Sequence, residues 1–158
     1  MQRNVLENLL CRWCDEEELD LVITVGGTLP EPGPSTRELA PLVTLAVAER
    51  TLPGLAEAMR AYAQEELPLA IIDAGVAAIR GRTLLINLPA GAIPAVLFLE
   101  GVMDVIEAVI AHLQEDPTAP PLAPAPAESA PEAPAAPRGL NADEFAAFLR
   151  KKREGEKF

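Results

Sequence analysis

The sequence has few cations, and those it has are dispersed. Its 158 residues carry a formal net charge of −11, and the seven basic residues before position 138 are all arginines, standing apart at Arg3, Arg12, Arg37, Arg50, Arg60, Arg80 and Arg82. Backbone binding to nucleic acid requires clustered cations, so the composition argues against a nucleic-acid partner. No apolar run reaches the roughly eighteen residues of a membrane span, and no cationic segment followed by an apolar stretch opens the chain. A cytoplasmic protein without membrane association is the expectation. With a single histidine, His112, no Ser-His-Asp set can be assembled, and His112 reads as a helix-end residue. Cysteine is nearly as scarce. Cys11 and Cys14 form a C-x-x-C, but a zinc site takes about four ligands and a thioredoxin-like motif follows a strand. Here Val5, Leu6, Leu9, Leu10 and Trp13 recur at helical spacing, so reduced thiols on a helix are the simplest reading.

What is present suits one compact α/β core, since 49% of the residues are apolar. The composition changes after Asp116, which sets a domain over 1–116. Over 117–137, eight prolines and eight alanines fill 21 positions, a density that removes backbone donors and blocks regular structure. This reads as a disordered linker. A short amphipathic helix is expected over 138–158, with Asn141 as its cap, Glu144 at the third helical position and Leu140 stapled on Phe145. Phe145, Phe148 and Leu149 form its apolar face, and Arg150 to Arg153 place positive charge at its end. The helix either docks on its own domain or a protein partner, or is a frayed tail.

Within 1–116 the pattern is helix, strand, glycine turn, two helices, two strands and a long helix. Asn4 to Asp15 reads as helix, and Leu21-Val22-Ile23-Thr24-Val25 as a strand buried on both faces. Glu38 to Arg50 and Gly54 to Glu66 read as helices, Val76 to Ile79 and Thr83 to Leu88 as strands, and Pro94 to Gln114 as one apolar helix. Met59, Phe98, Leu99 and Met103 fall at apolar helical positions and read as core. The expected fold is a three-layer α/β/α domain with a mostly parallel sheet.

A buried strand ending in Gly26-Gly27-Thr28 brings backbone N–H groups and a hydroxyl to the carboxyl edge of the sheet, where open α/β folds bind ligands. Glycines allow the sharp turn and close approach, and the threonine adds a neutral donor, which suits a phosphate. Leu19 to Thr28 resembles the central signature of the molybdopterin-binding family that includes the molybdopterin adenylyltransferases, the MoaB/Mog domains. Thr44 to Arg60 is similar to the helix pair that follows in that family. Gly81-Arg82-Thr83-Leu84-Leu85-Ile86-Asn87-Leu88-Pro89 resembles its strand closing in Asn-Leu-Pro-Gly.

The resemblance covers roughly Asn4 to Leu113 and implies a role in molybdenum-cofactor biosynthesis. It implies that Gly26, Gly27, Thr28, Asn87, Pro89 and Gly91 line the phosphate end of molybdopterin. It also implies that Glu38 takes the place of the family's acidic residue, which serves catalysis and holds magnesium for adenylylation of the pterin by ATP. A solvated carboxylate at a helix start is the equal reading of Glu38. Homo-oligomers, commonly trimers, are implied as well. On this view Thr28→Val abolishes or sharply weakens pterin binding and leaves the fold intact.

The pattern departs from the family at the implied site. Leu29 stands where the family has glycine, the loop Pro30 to Thr36 is longer and proline-rich, Ala90 replaces the glycine after Asn87-Leu88-Pro89, and Gly91 takes the place of an often hydroxyl-bearing residue. The family's opening strand, helix and strand are lacking, which leaves the Leu21 strand with an exposed edge. A misassigned start, a split protein whose other piece docks here, or a degenerate domain that pairs with itself would each explain this. The alternative function is a non-catalytic scaffold or interaction module.

Overall fold

In the computed structural model, which describes residues 3–30, 32–33 and 38–122 with the isolated positions 143, 146 and 150, the strand β4 over Thr83–Leu88 carries the assembly. All six of its residues are buried, because helices cover both of its faces. The strand β1 (Leu21–Val25) pairs with it in parallel, Leu21 opposite Leu84 through Val25 opposite Leu88. On the other side β3 (Ala77–Arg80) pairs with β4 antiparallel, and the two-residue β2 (Arg50–Thr51) pairs antiparallel with β3. The sheet order is β1-β4-β3-β2.

Two helices lie on one face, α1 (Arg3–Asp15) and α2 (Leu39–Val47). Leu10 and Cys14, one turn apart on α1, meet Val43 and Val47 of α2 over Val22, Ala78 and Leu85. The opposite face holds α3 (Pro53–Ala63), a 3-10 turn over Pro68–Ile72, α4 (Ala92–Glu100) and α5 (Met103–Leu113). Met59, Phe98, Val102 and Ile106 pack there against Ala77, Ile79, Leu84 and Ile86, each large side chain stabilising by about 2 kcal/mol through burial. This is the three-layer α/β/α arrangement expected from the sequence. No helix among the described residues is long and apolar enough to cross a membrane.

Local differences from the sequence reading have identifiable causes. The sheet is mixed rather than mostly parallel, because Gly81-Arg82 is too short a link for a crossover. Gly81 adopts a φ of +55°, and Arg80 faces Thr83 across a tight hairpin. β1 is not buried on both faces: it lies at the sheet's edge, with Val22 buried but Ile23 and Val25 37% and 62% exposed. The helix expected to reach Arg50 ends at Val47, where sheet pairing takes over: Glu49 N donates to Ile79 O at 2.9 Å and Arg50 joins β2.

The single long helix expected from Pro94 divides at Gly101 into α4 and α5. A Cβ at Gly101 would lie 2.8 Å from Tyr62 Cβ and 3.1 Å from Ala58 O, so α3 approaches only because this position has none. The turn lets Phe98, Val102 and Ile106 all face the sheet. Met103, expected in the core, begins α5 and is 54% exposed.

Arg80 links three elements. Its guanidinium donates to both carboxyl oxygens of Asp15 at 2.9 and 2.6 Å and to Val47 O at 2.8 Å. The Arg80 hydrogen bonds hold the Asp15 carboxyl below its ordinary pKa, while burial pushes the Cys14 thiol up.

The residues up to Pro120 form one compact unit. The linker expected over 117–137 lies outside the described residues beyond 122, and the helix expected over 138–158 lies outside them apart from the three isolated positions.

Candidate functional site

The carboxyl ends of β1 and β4 come together as two adjacent turns. Past Val25 the chain enters Gly26 at φ +100° and Gly27 at φ +69°, conformations that strain any residue with a Cβ. Gly26 N donates to Leu88 O at 2.8 Å, carrying the ladder one step beyond β1. A Cβ on Gly26 would stand 3.7 Å from Ala90 Cβ, so the first turn lies directly beside the second. A Cβ on Gly27 would stand 3.6 Å from Ala40 N and 3.7 Å from Leu39 N, at the start of α2. Gly91, with φ +102°, is the N-cap of α4.

The N-termini of α2 and α4 therefore both open onto this edge. The first N–H groups of a helix have no partner within it and carry the positive end of the helix dipole, which makes such ends anion sites. Gly27, Ala90 and Gly91 are exposed, and Gly26 is half-buried. Glu38 immediately precedes α2, is half-buried, and makes no side-chain cap to that helix.

Thr28 and Asn87 lie beneath this surface, and their side chains face inward. Thr28 is 0% exposed, and its hydroxyl donates to Asp73 Oδ2 at 2.5 Å. Asn87 is 1% exposed. Its Nδ2 donates to Thr24 Oγ1 at 2.8 Å and Thr44 Oγ1 at 2.9 Å, while its Oδ1 accepts from Val76 N at 3.2 Å. The neutral donor expected from Thr28 is thus committed within the protein. Pro89 is buried and, with Leu29, Leu67, Leu69, Pro94 and Phe98, lines an apolar cavity of about 190 Å³ beside the turns.

Asp73, Gly75 and Val76 were not apparent as site residues in the sequence. Asp73 Oδ1 accepts from Gly75 N at 2.8 Å, a turn formed by an aspartate side chain on the backbone two residues ahead. A Cβ on Gly75 would fall 2.6 Å from Asp73 Oδ1 and 3.0 Å from Asn87 O, so glycine is needed there. The Asp-x-Gly spacing before a buried strand was the available signal.

Among the described residues, no group of three or more His, Cys, Asp or Glu side chains is placed to hold a metal ion.

A three-layer domain whose sheet edge sets a Gly-Gly-Thr turn beside an Asn-Leu-Pro turn, with two helix N-termini opening there, is the class to which fold and site together point. Sequence comparison finds molybdopterin adenylyltransferases. That of Escherichia coli K12 is 39% identical over 111 residues, covering 70% of this chain and 55% of the relative. That of Helicobacter pylori J99 is 41% identical over 88 residues, covering 56% of this chain and 48% of the relative.

Among solved structures, the molybdopterin biosynthesis enzyme MoaB of Thermus thermophilus is similar with a TM-score of 0.66 and 36% identity, over 73% of this chain and 70% of that one. The molybdopterin biosynthesis Mog protein of Mycobacterium ulcerans is similar with a TM-score of 0.60 and 32% identity, over 70% and 69%. No protein-family model matches the chain. The chain belongs to the MoaB/Mog family of molybdenum-cofactor biosynthesis proteins. It spans about half the length of the curated relatives it matches.

Proposed function

We propose that this chain serves molybdenum-cofactor biosynthesis by binding molybdopterin, with the phosphate end held at the paired turns Gly26-Gly27 and Ala90-Gly91. The observation that carries this reading is the convergence of the α2 and α4 N-termini on the carboxyl ends of the one parallel strand pair in the described sheet. In this role Gly26, Gly27 and Gly91 supply close backbone approach. Pro89 shapes the adjoining wall, while Thr28 and Asn87 act from below by holding the two turns in register. A cytoplasmic setting and a homo-oligomer, a trimer in the first instance, belong to the same reading.

Adenylylation of the bound pterin by magnesium-ATP is the further step that the family relationship raises. In nucleotide sites magnesium is held by one or two carboxylates, with phosphate oxygens and water completing its octahedral shell. Glu38, half-buried just ahead of α2, is the carboxylate that stands at the edge, whereas the Asp73 carboxyl is turned to Thr28 and Gly75. Binding is the primary proposal for this chain. A scaffold role is the second reading, supported by Leu29 and Ala90 at positions where the resemblance implies glycine and by the internal commitment of the Thr28 hydroxyl.

Isothermal titration of the full chain with molybdopterin decides between them. Saturable binding supports the pterin site, and repeating the titration with magnesium and a non-hydrolysable ATP analogue tests the nucleotide. A flat titration on folded protein rejects the pterin reading in favour of the scaffold.

A further inference from the structure

The segment Asp73–Val76 touches both hallmark turns from beneath and contacts α3 on its other side. Toward the first turn, Asp73 Oδ2 accepts from the Thr28 hydroxyl at 2.5 Å, and Ala74 N donates to Thr28 O at 2.9 Å. Toward the second, Val76 N donates to Asn87 Oδ1 at 3.2 Å, and Asn87 N donates to Val76 O at 3.0 Å. From α3, Arg60 Nη1 donates to Gly75 O at 3.0 Å and Asp73 O at 3.4 Å. Asp73 is 6% exposed, and both of its carboxyl oxygens are engaged, one by each neighbour.

We infer that Asp73 is a positioning residue for the anion edge: through the Thr28 hydroxyl its carboxyl fixes the Gly26-Gly27-Thr28 turn against the Arg60-supported segment 73–76. Gly26 and Gly27 have positive φ values and wide conformational freedom, so the chain leaving β1 needs an anchor. The anchor is Thr28, joined to Asp73 and Ala74 through side chain and backbone. A phosphate held by backbone N–H groups depends on their direction, so ordering the turn before binding raises affinity. Asp73 touches no ligand in this scheme. The proposal rests on the molybdopterin reading for its consequence in binding, but not for its consequence in the turn.

The test compares the full chain with Asp73→Ala and Asp73→Asn by amide hydrogen exchange and by titration with molybdopterin. Asparagine can still accept from Gly75 N through Oδ1 and can donate to Thr28 Oγ1 through Nδ2. In folded Asp73→Ala, exchange at Gly26 and Ala74, whose amides bond to Leu88 O and Thr28 O, is expected to quicken about tenfold while Leu84 to Ile86 keep their protection. Molybdopterin affinity is expected to fall about tenfold. Asp73→Asn is expected to restore most of both.

Unchanged exchange at Gly26 and Ala74, or equal quickening throughout β4, overturns the proposal, because the second pattern is loss of stability rather than loss of positioning. Unchanged affinity in a folded Asp73→Ala overturns it too. If the parent chain fails to bind molybdopterin, the functional reading falls while the exchange comparison still decides the role of Asp73. Should Asp73→Ala not fold, Thr28→Val removes the same bond from the other side and carries the same comparison.

Discussion

Asn87 at the end of β4 donates to the hydroxyl of Thr44 in α2 at 2.9 Å, with both residues 1% exposed. The same amide nitrogen reaches Thr24 on β1, and its oxygen accepts from Val76 N, so one side chain unites an edge strand, a helix and the loop before β3. Replacing Asn87 by leucine leaves several buried polar groups without partners. Each such group costs about 1–3 kcal/mol, so Asn87→Leu is expected to lower the unfolding free energy by about 3 kcal/mol or more. Urea denaturation of the variant and parent measures this. A loss no greater than that of an exposed substitution would remove Asn87 from the framework.

Thr28→Val is expected to destabilise the protein as well, against the sequence-based expectation of an intact fold. Valine matches the shape of threonine but leaves Asp73 Oδ2 buried without its donor, at a cost of about 1–3 kcal/mol. Thr28→Ser keeps the hydroxyl and is expected to fall nearer the parent. Thermal unfolding followed by circular dichroism separates the two. Equal melting temperatures for valine and parent would show that the Thr28–Asp73 bond contributes nothing to stability.

The fold was legible where one local rule acted alone. The helical spacing of Leu6, Leu10 and Trp13, the apolar run at Leu21, and the two strands flanking Gly81 all correspond to observed elements. It was less legible where tertiary contact decided the outcome. Pairing with Ile79 draws Arg50 into a strand, and the approach of Tyr62 to Gly101 divides a helix whose apolar pattern runs on without a break. At the site, the glycine turns were visible because they form motifs. Asp73 and Arg60 were not, since their roles depend on contacts 45 residues away from Asp73 and 15 residues away from Arg60.

Ala90 offers the most direct variation of the anion edge. It is exposed and lies beside Gly26, and the family resemblance implies a glycine at this position. Ala90→Asp places a carboxylate among the donors proposed for phosphate, and molybdopterin affinity is expected to drop about tenfold or more, since about 1.4 kcal/mol of repulsion suffices for that. Ala90→Gly is expected to bind at least as well as the parent. Titration beside a melting curve checks both; an aspartate variant that is folded and binds normally would move the phosphate away from these turns.

The contact between Asp15 and Arg80 gives the acid limb of stability a defined origin. Arg80 depresses the Asp15 pKa in the folded state below its ordinary value of 3.8. The folded state therefore holds the proton less readily than the unfolded chain, and the contribution is fully present above the unfolded value and lost as pH falls through the folded one. Asp15→Asn is expected to flatten that part of the curve while leaving its shape above pH about 5 unchanged. Urea midpoints measured between about pH 2 and 6 test this, and parallel curves for parent and variant would show that the pair carries no linkage.

Cys11 and Cys14 share a helix but differ in environment, and their reactivity is expected to differ accordingly. Cys14 is buried against Val22, Val43 and Leu85, and burial raises its thiol pKa; Cys11 is half-buried. The thiolate is the reactive form, so both access and ionisation protect Cys14. In native protein, iodoacetamide is expected to modify Cys11 first and to reach Cys14 only at the rate of opening or in denaturant. Mass spectrometry of timed samples assigns each site. Equal labelling of the two residues would mean that α1 leaves the sheet readily, and would contradict the packing of Leu10 and Cys14 described above.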